Sequence, residues 1–311
     1  MRSQTVELRR EPRARAPELL MLVATGAATA IILLALAVLL ADIVAGGAKV
    51  LSWEFLSAHP RRGLTEGGIL PAIVGTVALT LLMTIAAVPA GVATAVFLTE
   101  YAPADSKLAR AIRVCIANLA GVPSIVFGLF GLGFFVSTVG RGIDRVVYGG
   151  ELVYATPSLI WASLTLAILT LPVVVVATEE ALRAVPREIR DASLALGATQ
   201  LQTIVKVVLP HAMGGVLTGT ILAISRGAGE VAPILFTGVA YFLPQLPSHF
   251  NDQFMSLSYH VYVLSTQSPN VDQTKPLLYG TVLTLLALTF LLNLVAVVLR
   301  ARTRAKVQAT E

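Results

Sequence analysis

The chain has 311 residues, of which 56% are hydrophobic and only 13% charged, with a mean hydropathy of +0.79. About a quarter of residues are charged in soluble domains, so this composition excludes a soluble globular protein; because lipid tolerates no unpaired backbone, it predicts an all-α integral membrane protein. The net charge of +5 needs no nucleic-acid partner, since basic residues at helix ends anchor topology and attract anionic membrane lipid.

An Arg-rich tail at 1–18 precedes the first apolar run, 19–45, which is long and lacks a small-residue cleavage site, so it reads as an uncleaved span rather than a signal peptide. A polar external loop, 46–68, sets it apart. Five further spans follow at 69–98, 111–139, 157–178, 212–241 and 277–299, forming one core over 69–300, and a tail occupies 301–311. Several exceed 20 residues, which predicts tilt or breaks. Gly75, Pro89, Gly91, Gly121, Pro123, Gly128, Gly131 and Gly133 interrupt the second and third spans and point to close helix packing. Cys115 is the only cysteine, which excludes an internal disulfide, and it reads as inert packing.

With a cytoplasmic N-terminus, sixteen basic residues fall on inner segments and six on outer loops, so both termini and the 179–210 loop are expected in the cytoplasm. No internal repeat is evident, which argues against a secondary transporter of paired halves. The external segment 243–276, with four prolines and the aromatics Phe250, Phe254, Tyr259 and Tyr262, reads either as a receiver or plug for the channel or as a packed surface loop.

Within the 179–210 loop, the ten residues 187–196 reach only about 15 Å as a helix, roughly half the ~30 Å hydrocarbon thickness, so this segment does not span a bilayer. Pro186 suits the first turn of a helix, Glu188 and Asp191 complement its positive end, and Gly197 suits its left-handed end. Ile189, Ala192, Ser193 and Leu196 recur at three- and four-residue steps and form a candidate docking face. Gln200 to Val208 then starts a second short amphipathic segment, which Leu209 and Pro210 are expected to close. The bland alternative is an amphipathic linker resting on lipid headgroups.

Within the fifth span, Arg226 and Glu230 share one helical face at a spacing of four. A charge at bilayer depth costs about 2.5 to 3.5 kcal/mol, so both must face protein or water. The planar Arg fork suits phosphate or carboxylate oxygens, which makes an anion the natural passenger, with Glu230 holding the guanidinium and keeping the resting pair neutral. The competing reading is a salt bridge that only fixes helix packing.

The order Asp191-Ala192-Ser193, three residues, Gly197, nine residues, Val207-x-Leu209-Pro210 resembles the signature loop of permease subunits in binding-protein-dependent ABC importers. That family's pattern reads Glu-Ala-Ala, then Gly, then Ile-x-Leu-Pro at the same spacing. Gly67 to Thr76, Gly121 to Gly128, Ser225 to Pro233, Gly238, Asp252 to Met255 and Tyr259 to Tyr262 extend the likeness to PstA-type phosphate permeases over about 67–300. The sister PstC-type permeases share these elements only in part. Val173 to Val176 is apolar where relatives often carry Arg, and Val231 stands where Thr is usual.

The resemblance implies a six-helix type I ABC importer (MetI-like) permease in the bacterial inner membrane, with a cytoplasmic coupling helix. It implies that Asp191, Ala192, Ser193, Gly197, Leu209 and Pro210 couple to an ATPase, and that Ser225, Arg226 and Glu230 line the substrate pathway. Implied partners are a PstC-like permease, a PstB-like ATPase dimer that carries the ATP and Mg, and a PstS-like phosphate-binding protein. The chain has no Gly-x4-Gly-Lys-Ser/Thr motif, and no cofactor or metal of its own is expected. Import of another oxyanion, molybdate or sulfate, is the alternative within this architecture. An intramembrane enzyme is a different class, poorly served by His59, His211, His249 and His260, which lack metal spacing, and by Asp42 as the one isolated carboxylate inside an apolar run. A passive channel would not need the docking loop.

Overall fold

The computed structural model of the chain describes residues 15–61, 66–103, 105–268 and 271–308; most of the predicted N-terminal tail, with Arg2, Arg9, Arg10 and Arg13, lies outside them, as do 309–311. Helix α1 (Arg15–Gly47) leads to the short α2 (Trp53–Ser57), the antiparallel pair β1 (Pro60–Arg61) and β2 (Glu66–Gly67), and α3 (Leu70–Val96), which continues through a π turn at Phe97–Tyr101. Then come α4 (Lys107–Ala120), α5 (Ser124–Gly131), a π-helical stretch at Leu132–Gly140, α6 (Arg141–Val147) and α7 (Leu159–Arg183). The last part holds α8 (Arg187–Ala195), α9 (Gln200–Thr203), a π turn at Ile204–Val208, α10 (Leu209–Gly229), α11 (Ala232–Leu235), α12 (Leu257–Thr266) and α13 (Val271–Gln308).

Among the described residues, six runs are long and apolar enough to cross a membrane: Pro17–Gly47, Leu70–Tyr101, Ser124–Val147, Leu159–Arg183, Gln200–Gly229 and Thr274–Arg302. The expected third span, 111–139, proves to be two elements. Its first part belongs to α4, where Lys107, Arg110 and Arg113 recur every third residue while Leu108 and Val114 stay exposed, the pattern of a helix lying in the membrane interface. Ser106 caps α4, its Oγ accepting the Ala109 N–H at 3.3 Å, and Gly121 with Pro123 separates it from the true span.

The expected fifth span, 212–241, is shifted toward the N-terminus. Leu209 and Pro210 do not close the preceding segment: Pro210 is accommodated by the π turn before it, where the Leu209 N–H reaches back to the Ile204 carbonyl, and the helix runs unbroken from Gln200 to Gly229. It stops there because Pro233 has no N–H for the Gly229 carbonyl and its ring clashes with that turn; Pro233 instead starts α11.

Helix α7 is the most enclosed and packs between α3 and α10. Gly215 and Gly219 of α10 lie against Ala181 and Ala177 of α7, so closely that a Cβ on either glycine would overlap the alanine methyl. Apolar clusters fill the bundle at three levels: Phe55, Ile69, Leu257 and Val263 at one end, Leu79, Met83, Leu166 and Phe254 in the middle, and Leu98, Val175, Leu182 and Val208 at the end carrying α8. The segment expected to be external divides in two: 243–253 is exposed or half-buried, whereas Phe254 to Leu264 is largely core. Phe254 and Leu257 are fully buried, and the Leu257 N–H donates to Thr76 Oγ1 at 2.9 Å.

Two carboxylates, one buried and one exposed, have structural partners. Buried Asp144 accepts N–H groups from Val153, Tyr154 and Ala155 at 3.1, 2.8 and 2.8 Å, closing the turn between α6 and α7. Asp42 accepts the Tyr279 hydroxyl at 2.6 Å and ties α1 to α13, which gives that carboxylate a structural partner.

Candidate functional site

Arg226 occupies the last turn of α10, and Glu230 is the first residue past its end, with φ −72° and ψ 140°. A basic residue there complements the negative end of the helix dipole. Arg226 Nε lies 3.4 Å from Glu230 Oε1, and 40% and 20% of the two side chains remain exposed. The pair is therefore open on one side, unlike a salt bridge sealed in a helix interface. Between them, the Gly227 backbone abuts Met83 of α3 and Thr170 of α7, roughly 20 and 17 Å along those helices from Leu70 and Leu159. That is near mid-depth, as the sequence predicts, although the helix breaks here instead of running through.

Backbone that leaves a helix at this depth must be satisfied by protein or water. The Glu230 carbonyl accepts the Ser258 hydroxyl of α12 at 3.1 Å, and Ser258 Oγ lies 2.9 Å from Ser256 Oγ. Ser225, expected to accompany Arg226, turns toward α13, with its Oγ 2.9 Å from the Ile221 carbonyl and 2.9 Å from Asn293 Oδ1. Ser258 and Asn293 escape the sequence reading because neither lies in a spacing that marks a site, and each is brought to the end of α10 only by tertiary packing.

At the α8 end, Pro186, expected in the first turn, is the N-cap residue just before it, and Gly197, at φ +87°, follows the helix end as expected. The predicted docking face needs correction. Ile189 and Ser193 turn inward together with Arg190, and Ser193 Oγ lies 2.9 Å from Thr203 Oγ1. Asp191 and Ala192 do face outward, beside Glu188, Leu194, Ala195 and Leu196, of which Leu196 is 90% exposed. Hydrophobic spacing misled because the inward face is held by a long polar side chain, Arg190. Leu209 and Pro210 are half-buried within the continuous helix.

Ion pairs join α8, α4, α7 and the end of α3 here. Arg190 forms a two-pronged ion pair with Glu100 at 2.8 and 3.2 Å, while Arg113 Nε donates to Glu179 at 2.8 Å and Arg183 pairs with the same carboxylate. A cavity of about 660 Å³ opens beside them, lined by Glu100, Arg113, Arg183, Arg187, Arg190 and Asp191. Among the described residues no group of three or more His, Cys, Asp or Glu side chains is placed to hold a metal.

A family model for "Binding-protein-dependent transport system inner membrane component" matches residues 87–305. The probable ABC transporter permease protein YqgI of Bacillus subtilis is 36% identical over 68% of this chain and 67% of its own. Phosphate transport system permease protein PstA 1 of Mycobacterium tuberculosis is 35% identical over 78% of this chain and 75% of its own, and PstA of Mycobacterium leprae 34% identical over 82% and 79%. Among solved structures, a bacterial alginate ABC transporter chain superposes with a TM-score of 0.63 at 13% identity, over 93% of this chain and 95% of that one. A chain of the MetNI methionine transporter gives 0.55 at 18% identity, over 76% and 95%. Both likenesses concern the fold, that of type I ABC importer permeases. By family match and by relatives covering most of its length, the chain belongs to the inner-membrane components of binding-protein-dependent transport systems, in their PstA-type branch.

Proposed function

We propose that the chain is the translocating permease of an ATP-driven importer that carries inorganic phosphate into the cytoplasm by alternating access. The observation that carries this reading is the Arg226–Glu230 pair, open on one side at mid-depth where α10 breaks. A guanidinium fork there offers planar N–H donors to an oxyanion, and the nearby carboxylate competes with the anion so that it can leave again. The names of the relatives support phosphate as that oxyanion. Sulfate or molybdate remains the alternative cargo, because the fork selects oxyanion geometry before it selects the central atom.

ATP and Mg belong, on this reading, to a separate ATPase dimer that docks on the outward face of α8, whose exposed Leu196 is bordered by Glu188 and Asp191. A PstC-like sister permease completes the channel, and a PstS-like binding protein delivers phosphate on the side opposite α8. The bias of Lys and Arg supports cytoplasmic termini and a cytoplasmic α8. The test is uptake of labelled phosphate, sulfate and molybdate by vesicles holding the four components. ATP-dependent accumulation of phosphate alone is expected; equal phosphate movement without ATP, or preference for another anion, refutes the assignment.

A further inference from the structure

We propose that Arg190 is a positioning residue that locks α8 to the ends of both α3 and α7, making one rigid body of the docking helix and the helices that support the pathway. The inference rests on the reading of α8 as the ATPase-docking element. Every N–H of the Arg190 guanidinium is used. Nε and Nη2 reach the two Glu100 carboxylate oxygens at 3.2 and 2.8 Å; Nη2 also donates to the Leu182 carbonyl at 2.7 Å, and Nη1 to the Val185 and Pro186 carbonyls at 2.6 and 3.3 Å. The first contact grips the terminal π turn of α3. The carbonyl contacts fasten the last turn of α7 and the link that follows, where the Leu182 carbonyl also accepts the Val185 N–H at 3.3 Å.

Both partners are shielded, with 18% of the Arg190 side chain and 11% of Glu100 exposed, so solvent screens the pair far less than a surface ion pair. Glu100 is held from a second direction, its carbonyl accepting Gln200 Nε2 of α9 at 2.7 Å. Among the described residues, no other α8 side chain hydrogen-bonds to α3 or α7; Ser193 bonds only within the loop, to Thr203. The two gripped helices are the same two that carry Met83 and Thr170 against Gly227, next to Arg226. A displacement of α8 therefore reaches the pathway through packed helices, and Arg190 is the point at which it enters them. A lysine in its place would keep the charge and lose the planar, five-donor geometry.

The experiment uses the whole importer in vesicles and reads phosphate moved per ATP hydrolysed for wild type, Arg190→Lys, Glu100→Gln and the double variant. Each single variant is expected to lower that ratio roughly fivefold or more while the ATPase co-purifies in normal amount. The double variant should be no worse than the poorer single one, since both break one joint. Simple destabilisation would reduce the yield of complex and both rates together, leaving the ratio unchanged. Glu100→Gln keeps an acceptor for the fork and its carbonyl bond to Gln200, so it carries the test where Arg190→Lys fails to assemble. An unchanged ratio in assembled complexes, or losses that multiply in the double variant, overturns the joint. Failure of the ATPase to co-purify with the wild-type chain instead refutes the docking reading.

Discussion

Arg226 Nε faces Glu230 Oε1 at 3.4 Å across the end of α10, a separation longer than a strong charge-assisted hydrogen bond and short enough to keep the two charges balanced. The guanidinium is thus paired without being saturated. Arg226→Lys keeps the charge and removes the fork, so phosphate uptake should fall about tenfold or more, equivalent to losing one charge-assisted contact of roughly 1.5 to 3 kcal/mol. Assembly of the complex should be unaffected. Uptake kinetics decide the matter, and wild-type rates in the Lys variant exclude bidentate recognition by this residue. Glu230→Gln should lower both KM and kcat, because an anion with no competing carboxylate is held longer.

Asn293 is the only side chain outside α10 that hydrogen-bonds to Ser225 among the described residues, at 2.9 Å, and it does so beside Arg226. Interhelical bonds of this kind contribute about 0.6 kcal/mol on average, and at most about 1.7. Asn293→Leu is therefore expected to lower the unfolding temperature by a few degrees and uptake by no more than several-fold. Thermal unfolding in detergent and uptake in vesicles read the two effects separately. A loss as severe as that of Arg226→Lys would place Asn293 in direct contact with the anion.

The six-span fold, the docking loop and the mid-depth charge pair are legible in the sequence because each depends on local pattern: apolar length, a Gly at a helix end, a spacing of four. What escapes depends on tertiary contact. Arg190 reads as one of several solvated charges on α8 until Glu100, ninety residues earlier in the chain, closes on it. Hydropathy places the fifth span too late because it averages across a break, although Pro233 marks the stop by its missing N–H. Likewise the apolar content of 111–139 hides the break at Gly121 and Pro123 that separates α4 from the span after it.

Gly197 stands at φ +87°, and among the described residues beyond its chain neighbours no atom lies within 4 Å of where a Cβ would be, so its requirement is conformational and not steric. Gly197→Asn, which tolerates the left-handed region, should transport nearly as well as wild type. Gly197→Val should cost about 1 to 2 kcal/mol in local conformation and misorient α8 relative to α9, lowering transport more than membrane insertion. Comparing uptake with the amount of chain in the membrane tests this, and equal transport by the Val variant refutes the role of the turn.

His260 offers a pH test of the packing behind the pathway. It is 5% exposed on α12, among the described residues its Nδ1 has no hydrogen-bond partner, and burial pushes its pKa down from 6.5 to about 4. Between those values the unfolded chain binds a proton that the folded chain refuses, so stability rises with pH across this window and is fully present above 6.5. The full effect is on the order of 3 kcal/mol. Asp252 does not share the window: N–H groups of His249 and Ser248 hold its carboxylate below the usual value of 3.8, so its contribution is lost only at lower pH. The unfolding temperature of the purified chain should therefore fall by several degrees from pH 7.5 to pH 5. In His260→Phe, which fills the buried position with a ring that cannot titrate, that fall should shrink markedly; an undiminished fall would assign the pH sensitivity to other groups.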